Sequence, residues 1–125
     1  MDNRNDQDFN IKYCIRTKKL AIAICKEFNT PQKKESTRVV VKQILRSATS
    51  VAANFRAASR ARSKAEYYSK ICIVVEECDE TLFWLEILKE ADLYPKEKLK
   101  EKIVESTELL KIFSTTKKKL REKMP

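Results

Sequence analysis

Residues 63–91, SKAEYYSKICIVVEECDETLFWLEILKEA, constrain the fold more than any other stretch of the chain. They open with Ser63-x-x-Glu66, a capping box in which the Ser63 hydroxyl accepts from the Glu66 N–H while the Glu66 side chain reaches back. Neither Gly nor Pro interrupts residues 67–91. Two apolar blocks, Ile71-Cys72-Ile73-Val74-Val75 and Leu82-Phe83-Trp84-Leu85, are the densest in the sequence. Five consecutive apolar side chains go right round a helix, whereas an ordinary surface helix needs an apolar stripe only about 100° wide. A helix apolar on all sides at its middle must be buried on more than one side, so its surplus apolar surface calls for other subunits.

The rest of the chain agrees with a helical reading. Its 125 residues include no Gly and only Pro31, Pro95 and Pro125. Gly is the usual residue of tight β-turns, and its absence argues against a β-rich fold. A 36% charged share beside a 42% hydrophobic share suits long amphipathic helices. Residues 1–7 read as a disordered tail, and one domain is expected over residues 8–123. Asn29-Thr30-Pro31 ends the first helix, because Pro disfavours helix in the residue before it. Asp92-Leu93-Tyr94-Pro95 breaks the chain again, with Pro95 suited to a first helical turn. The expected helices are 8–28, 37–60, 63–91 and 95–123. Long helices with short connections predict an all-α, antiparallel up-down-up-down four-helix bundle.

Charge is laid out unevenly along the second and third helices. Residues 38–70 carry eight positive charges and one negative, and residues 71–92 carry seven negative and one positive. With the hairpin turning near residues 61–62, Arg46 faces Glu77, Gln43 faces Glu80, and Arg38 lies opposite Leu85 and Glu86. Arg46, Glu77 and Glu80 are therefore expected as structural ion pairs, which mainly fix register. A polar stripe, Gln43, Ser47, Ser50 and Asn54, runs beside them at helical spacing. It reads as a hydrogen-bonded seam between helices or, alternatively, as a ligand contact.

The charge left over points outward. The net charge of +9, from 27 Lys and Arg against 18 Asp and Glu, favours a polyanionic partner. Arg56, Arg60, Arg62, Lys64 and Lys70 cluster around the second turn, with Tyr67 and Tyr68 close by. Guanidinium forks suit phosphate, and aromatic rings stack on unpaired bases. Lys117, Lys118, Lys119 and Arg121, with Lys123, form a second cluster, whose plainer reading is a solvated last turn suited to the helix dipole. In an up-down-up-down bundle both clusters lie at one pole. They form a candidate nucleic-acid-binding surface without a base-reading signature.

Catalytic chemistry is sparse. No His is present to act as general acid or base. Without Gly there is no phosphate loop, dinucleotide fingerprint or nucleophile elbow. Glu76-Glu77 and Asp79-Glu80 lack the His and inward carboxylates of a bundle metal site, so no metal, no cofactor and no enzymatic activity are expected. Cys14, Cys25, Cys72 and Cys78 form no CxxC and read as small buried thiols in a reducing compartment. No basic, apolar leader and no membrane-length run occurs, so a cytoplasmic location without membrane attachment is expected.

Gln43-Ile-Leu-Arg46-Ser47-Ala-Thr49-Ser50-Val-Ala-Ala-Asn54, Ala61-x-Ser63-Lys64 and Glu77-Cys-Asp79-Glu80-Thr81-x-x-Trp84-Leu85-Glu86 resemble the 23S ribosomal RNA intervening-sequence protein family, once labelled S23 ribosomal protein-like. The similarity covers roughly residues 9–115. It implies a non-enzymatic bundle, often a homopentamer, and some members are encoded within inserts in ribosomal RNA genes. Related bundles serve as accessory proteins to the reverse transcriptases of diversity-generating retroelements, which implies a polymerase as a possible protein partner besides RNA or DNA. The family often has Glu where this chain has Ala57, and Lys-Glu where it has Glu76-Glu77. No role of that Glu or Lys carries over.

Overall fold

A chain without Gly has to build its reversals from other residues, and each of its three reversals does so differently. The computed structural model describes residues 4–125. Its elements are four helices, α1 (Arg4–Glu27), α2 (Glu35–Ser59), α3 (Lys64–Glu90) and α4 (Lys96–Glu122). Before α3, the Ser63 Oγ accepts from the Glu66 N–H at 3.1 Å. The Glu66 carboxylate accepts from the Arg62 N–H at 2.7 Å, one residue earlier than a strict capping box requires. After α3, Asp92 adopts a left-handed conformation with φ 54°, and the Leu93 N–H returns to the Leu88 carbonyl at 2.9 Å. This is a Schellman-type end with Asp in the position Gly normally takes, Asp being among the few residues that tolerate it. At the first reversal Pro31 follows α1, and Lys34 precedes α2 without a side-chain cap.

Two boundaries differ from the sequence expectation by more than one residue. Helix α1 begins at Arg4 rather than Asp8, so residues 4–7 are its first turn, while residues 1–3 lie outside the described residues. Helix α2 begins at Glu35, which places Thr37 inside it. Thr37 is buried, and its hydroxyl donates to the Leu93 carbonyl at 3.4 Å, tying α2 to the α3–α4 connection.

Each helix packs against its sequence neighbours, and α1 closes the ring against α4 mainly through side chains. The pairings run antiparallel. Arg16 of α1 meets Glu105 and Glu108 of α4, whereas Glu27 at the far end of α1 meets Lys102. Arg46 of α2 meets Glu77 of α3. This is an all-α four-helix bundle in up-down-up-down order. Ile24, Ile44, Val51, Ile71, Val74, Leu85, Leu88, Leu99 and Leu109 fill its centre. Phe9, Tyr13, Phe55 and Phe113 stack against one another toward one pole, with ring centroids 4.6 to 6.1 Å apart. Phe28 and Tyr94 pair at 5.0 Å toward the other.

Helix α3 is flanked by α2 on one side and α4 on the other, which absorbs most of its apolar circumference inside the chain. What stays outside is Phe83, 49% exposed. The larger apolar surface left to solvent belongs to α1, where Ile11, Ile15 and Ile22 face outward. The cysteines also divide. Cys78 is buried, Cys14 and Cys72 are half-buried, and Cys25, expected in the core, is exposed on the outward side of α1.

Candidate nucleic-acid interface

Two groups stand out among the hairpin charges, those paired within the fold and those at its pole. In the first group, Arg46 bridges Glu77 at 3.2 Å and Glu80, while its Nε donates to the Gln43 Oε1 at 3.2 Å. The Trp84 indole N–H also donates to the Glu80 carboxylate, at 3.3 Å. Hydrogen bonding from Arg46, with a smaller contribution from Trp84, holds the Glu80 carboxyl below its ordinary value, and the bond to Glu80 followed by the charges of Glu77 and Glu80 holds the Arg46 guanidinium above its own. Arg38 does not join this group. It pairs with Glu35 on its own helix and lies mostly in solvent, because α2 starts early enough to supply an acid one turn away.

The polar stripe forms a seam. Ser47 is fully buried and accepts from the Thr81 hydroxyl at 2.9 Å. Asn54 donates to the Ser50 carbonyl and hydroxyl at 2.9 and 3.0 Å. A hydrogen-bonded pair at the centre of the α2–α3 interface satisfies groups that would otherwise be costly to bury.

The second group gathers at the pole where α2 ends, α3 begins and α4 ends. Arg56 and Arg60 project from the last turn of α2 and its cap, Arg62 from the connection, and Lys64 from the first turn of α3; all four are exposed. Lys70 and Lys117 are half-buried, while Lys118, Lys119 and Arg121 are exposed along the last turns of α4. The link between the two clusters is Tyr68, whose hydroxyl interacts with the Arg121 guanidinium and the Cys72 thiol. Of these nine cations only Arg62 has an ion-pair partner among the described residues, Glu66 at 3.6 Å. The remaining eight keep their charge available.

The two tyrosines beside the cluster have different environments. Tyr67 turns inward, and its hydroxyl donates to the Asn10 Oδ1 at 3.0 Å. Burial, followed by the nearby Asp6 carboxylate, pushes its phenol up to about 12. Tyr68 remains partly exposed among the cations. Helix α1 also begins at this pole, so the Asp6 and Asp8 carboxylates border the basic surface, a feature the charge map of α2 and α3 alone does not contain.

Sequence reasoning missed the charge network between α1 and α4. Arg16 donates to Glu105 at 2.6 and 3.0 Å and to Glu108 at 3.0 Å. At the opposite pole the Tyr94 hydroxyl donates to the Glu27 carboxylate at 2.5 Å, and Lys102 approaches the same carboxylate at 3.3 Å. Hydrogen bonding from Tyr94 and then Lys102 holds Glu27 below its ordinary value, and burial followed by the bond to Glu27 raises Tyr94 to about 12. Antiparallel numbering applied to the first and last helices carries the signal for these pairs.

Nothing in the site gathers reactive groups. Among the described residues no three His, Cys, Asp or Glu side chains are placed to hold a metal ion, and the carboxylates of α3 are split between Arg46 and the solvent face. No helix of the described residues is long and apolar enough to cross a membrane.

Comparison with known proteins places the whole bundle. Residues 10–115 match the family model for the 23S rRNA-intervening sequence protein. A solved structure of a protein with unknown function from the S23 ribosomal protein family of Bacteroides thetaiotaomicron superposes with a TM-score of 0.63 at 31% identity, covering 90% of this chain and 97% of that one. None of the curated proteins compared matches the chain.

Proposed function

Because the chain belongs to the 23S rRNA-intervening sequence protein family, we propose that it is a non-catalytic, cytoplasmic bundle that assembles with copies of itself and binds RNA or DNA through its basic pole. The family's name makes ribosomal RNA the first nucleic acid to try. One observation carries the reading: eight cations without an ionic partner among the described residues meet at one end of the bundle. Arg56, Arg60, Lys64, Lys118, Lys119 and Arg121 supply phosphate contacts, and Tyr68 offers a face for an unstacked base. Such a surface reads backbone charge and shape rather than sequence.

A second reading, a protein adaptor such as an accessory subunit of a reverse transcriptase, is favoured by the apolar side chains exposed on α1. The two separate experimentally. Replacing Arg56, Arg60 and Arg62 together with Glu leaves the core untouched and is expected to weaken RNA binding at least tenfold. A variant that binds RNA as the wild type does removes the pole from the account. A protein partner retained after nuclease treatment and by this variant transfers the function to the adaptor reading.

A further inference from the structure

The outward faces of α1 and α3 are the two parts of the surface that the basic pole does not explain. On α1, Ile11, Ile15, Lys18, Ile22 and Cys25 follow one another at alternating four- and three-residue steps, so they form a single stripe. Ile11 is 61% exposed, Ile15 62% and Ile22 46%. Lys12, Lys19 and Lys26 run alongside at seven-residue intervals, all exposed and none in an ion pair among the described residues. On α3 the outward stripe is Glu76, Asp79, Phe83, Glu86 and Glu90, spaced at three- and four-residue steps around the exposed Phe83 ring. Glu76, Asp79, Glu86 and the Phe83 ring line one shallow depression together with Glu80, and, unlike Glu80, none of those three carboxylates has an ionic partner among the described residues. Each stripe is about four turns long, roughly 21 Å at the rise of an α-helix.

The two faces are opposite in sign and equal in length, and they cannot meet within one chain. Helices α1 and α3 do not pack together, which places them on a diagonal of the bundle with their outward faces on opposite sides. We propose that the lysine-flanked isoleucine face of α1 in one copy seats on the acidic, Phe83-centred face of α3 in the next. This rests on the self-assembly reading above and adds which surfaces make the contact. Two copies joined symmetrically through α1 would bring lysines against lysines, and through α3 carboxylates against carboxylates. Only the head-to-tail pairing is attractive, and a contact between unlike faces generates a ring if its rotation closes. The isoleucines bury against Phe83 while the lysines reach the flanking carboxylates, which sets register as well as affinity.

A charge swap tests this. One variant carries Lys12, Lys19 and Lys26 replaced by Glu, a second carries Glu76, Asp79 and Glu86 replaced by Lys, and a third is Ile15→Ser. Light scattering at micromolar concentration is expected to show a multimer for the wild type and mostly monomer for each of the two charge variants. Their equimolar mixture is expected to form multimers again, with the two variants alternating, because each reversed face then finds a reversed partner. Ile15→Ser is expected to weaken self-association by about tenfold without changing any charge. A multimeric wild type whose mass none of the variants alters, or variants that stay monomeric when mixed, overturns the assignment of faces while leaving assembly in place. A monomeric wild type overturns assembly itself.

Discussion

At the scale of single residues the bundle shows where a short side-chain alphabet costs something. Ser106 lies 1% exposed among apolar neighbours on α4, and its hydroxyl is the one buried side-chain polar atom without a hydrogen-bond partner among the described residues. An unmet buried hydroxyl costs about 1–3 kcal/mol. Ser106→Ala is therefore expected to raise stability by about 1 kcal/mol, measured as a shift of the denaturation midpoint in urea. A loss of stability instead would mean that the hydroxyl has a partner the fold depends on. Sequence periodicity places Ser106 correctly on the core-facing stripe, yet periodicity carries no information about a hydroxyl's partner. Asp92 is a similar case. Breaking the helix at Asp92-Leu93-Tyr94-Pro95 is legible from Pro95, but the left-handed backbone at Asp92 follows from how α3 must end, which the residue type alone does not reveal.

At the scale of elements, α1 is held to its neighbours by fewer backbone approaches than the other helices, and its polar clasps to α4 matter accordingly. The Glu27 carboxyl is held below its ordinary value of 4.5, so its contribution is present at neutral pH and is lost as pH falls through the folded-state value. Glu80 follows the same sign. Tyr67, Tyr94 and Cys78 go the other way. Each is raised to about 12, Cys78 by burial first and then by Asp79 and Glu77. Their contribution is full below the ordinary values of 9.0 for the thiol and 10.0 for the phenols and declines as pH climbs from there toward 12. Thermal melts across pH should thus show a plateau near neutrality, with Tm falling below about pH 4 and above about pH 9. Tyr94→Phe is expected to flatten part of the alkaline decline. The α2–α3 register is legible because opposite charges are segregated along one hairpin: Arg46 meets Glu77 as that numbering places it, while Glu80, numbered opposite Gln43, reaches Arg46 instead. The outward isoleucines of α1 were not legible. Ile11, Ile15 and Ile22 look like core residues in sequence, and only packing reveals that Tyr13, Thr17, Leu20, Ala21 and Ile24 occupy the inward side instead.

At the scale of the whole molecule, short connections and antiparallel order decide where charge accumulates. The turn after α2 and the last turns of α4 are far apart in sequence, and up-down-up-down topology alone brings them to one pole, joined through Tyr68 and Arg121. The acidic start of α1 borders that pole, so its field is strongest on the α2, α3 and α4 side. The central claim is that this pole binds nucleic acid through phosphate charge. Its most direct test is the affinity of the wild-type protein for RNA and for single-stranded DNA, measured by fluorescence anisotropy over a range of salt concentrations. The account predicts binding at low salt that falls on a straight log–log line, with a slope of about −0.7 per phosphate neutralised on single strands. Engagement of most of the eight cations without an ionic partner among the described residues gives a steep total. No detectable binding at low salt, or an affinity that salt leaves unchanged, would contradict it.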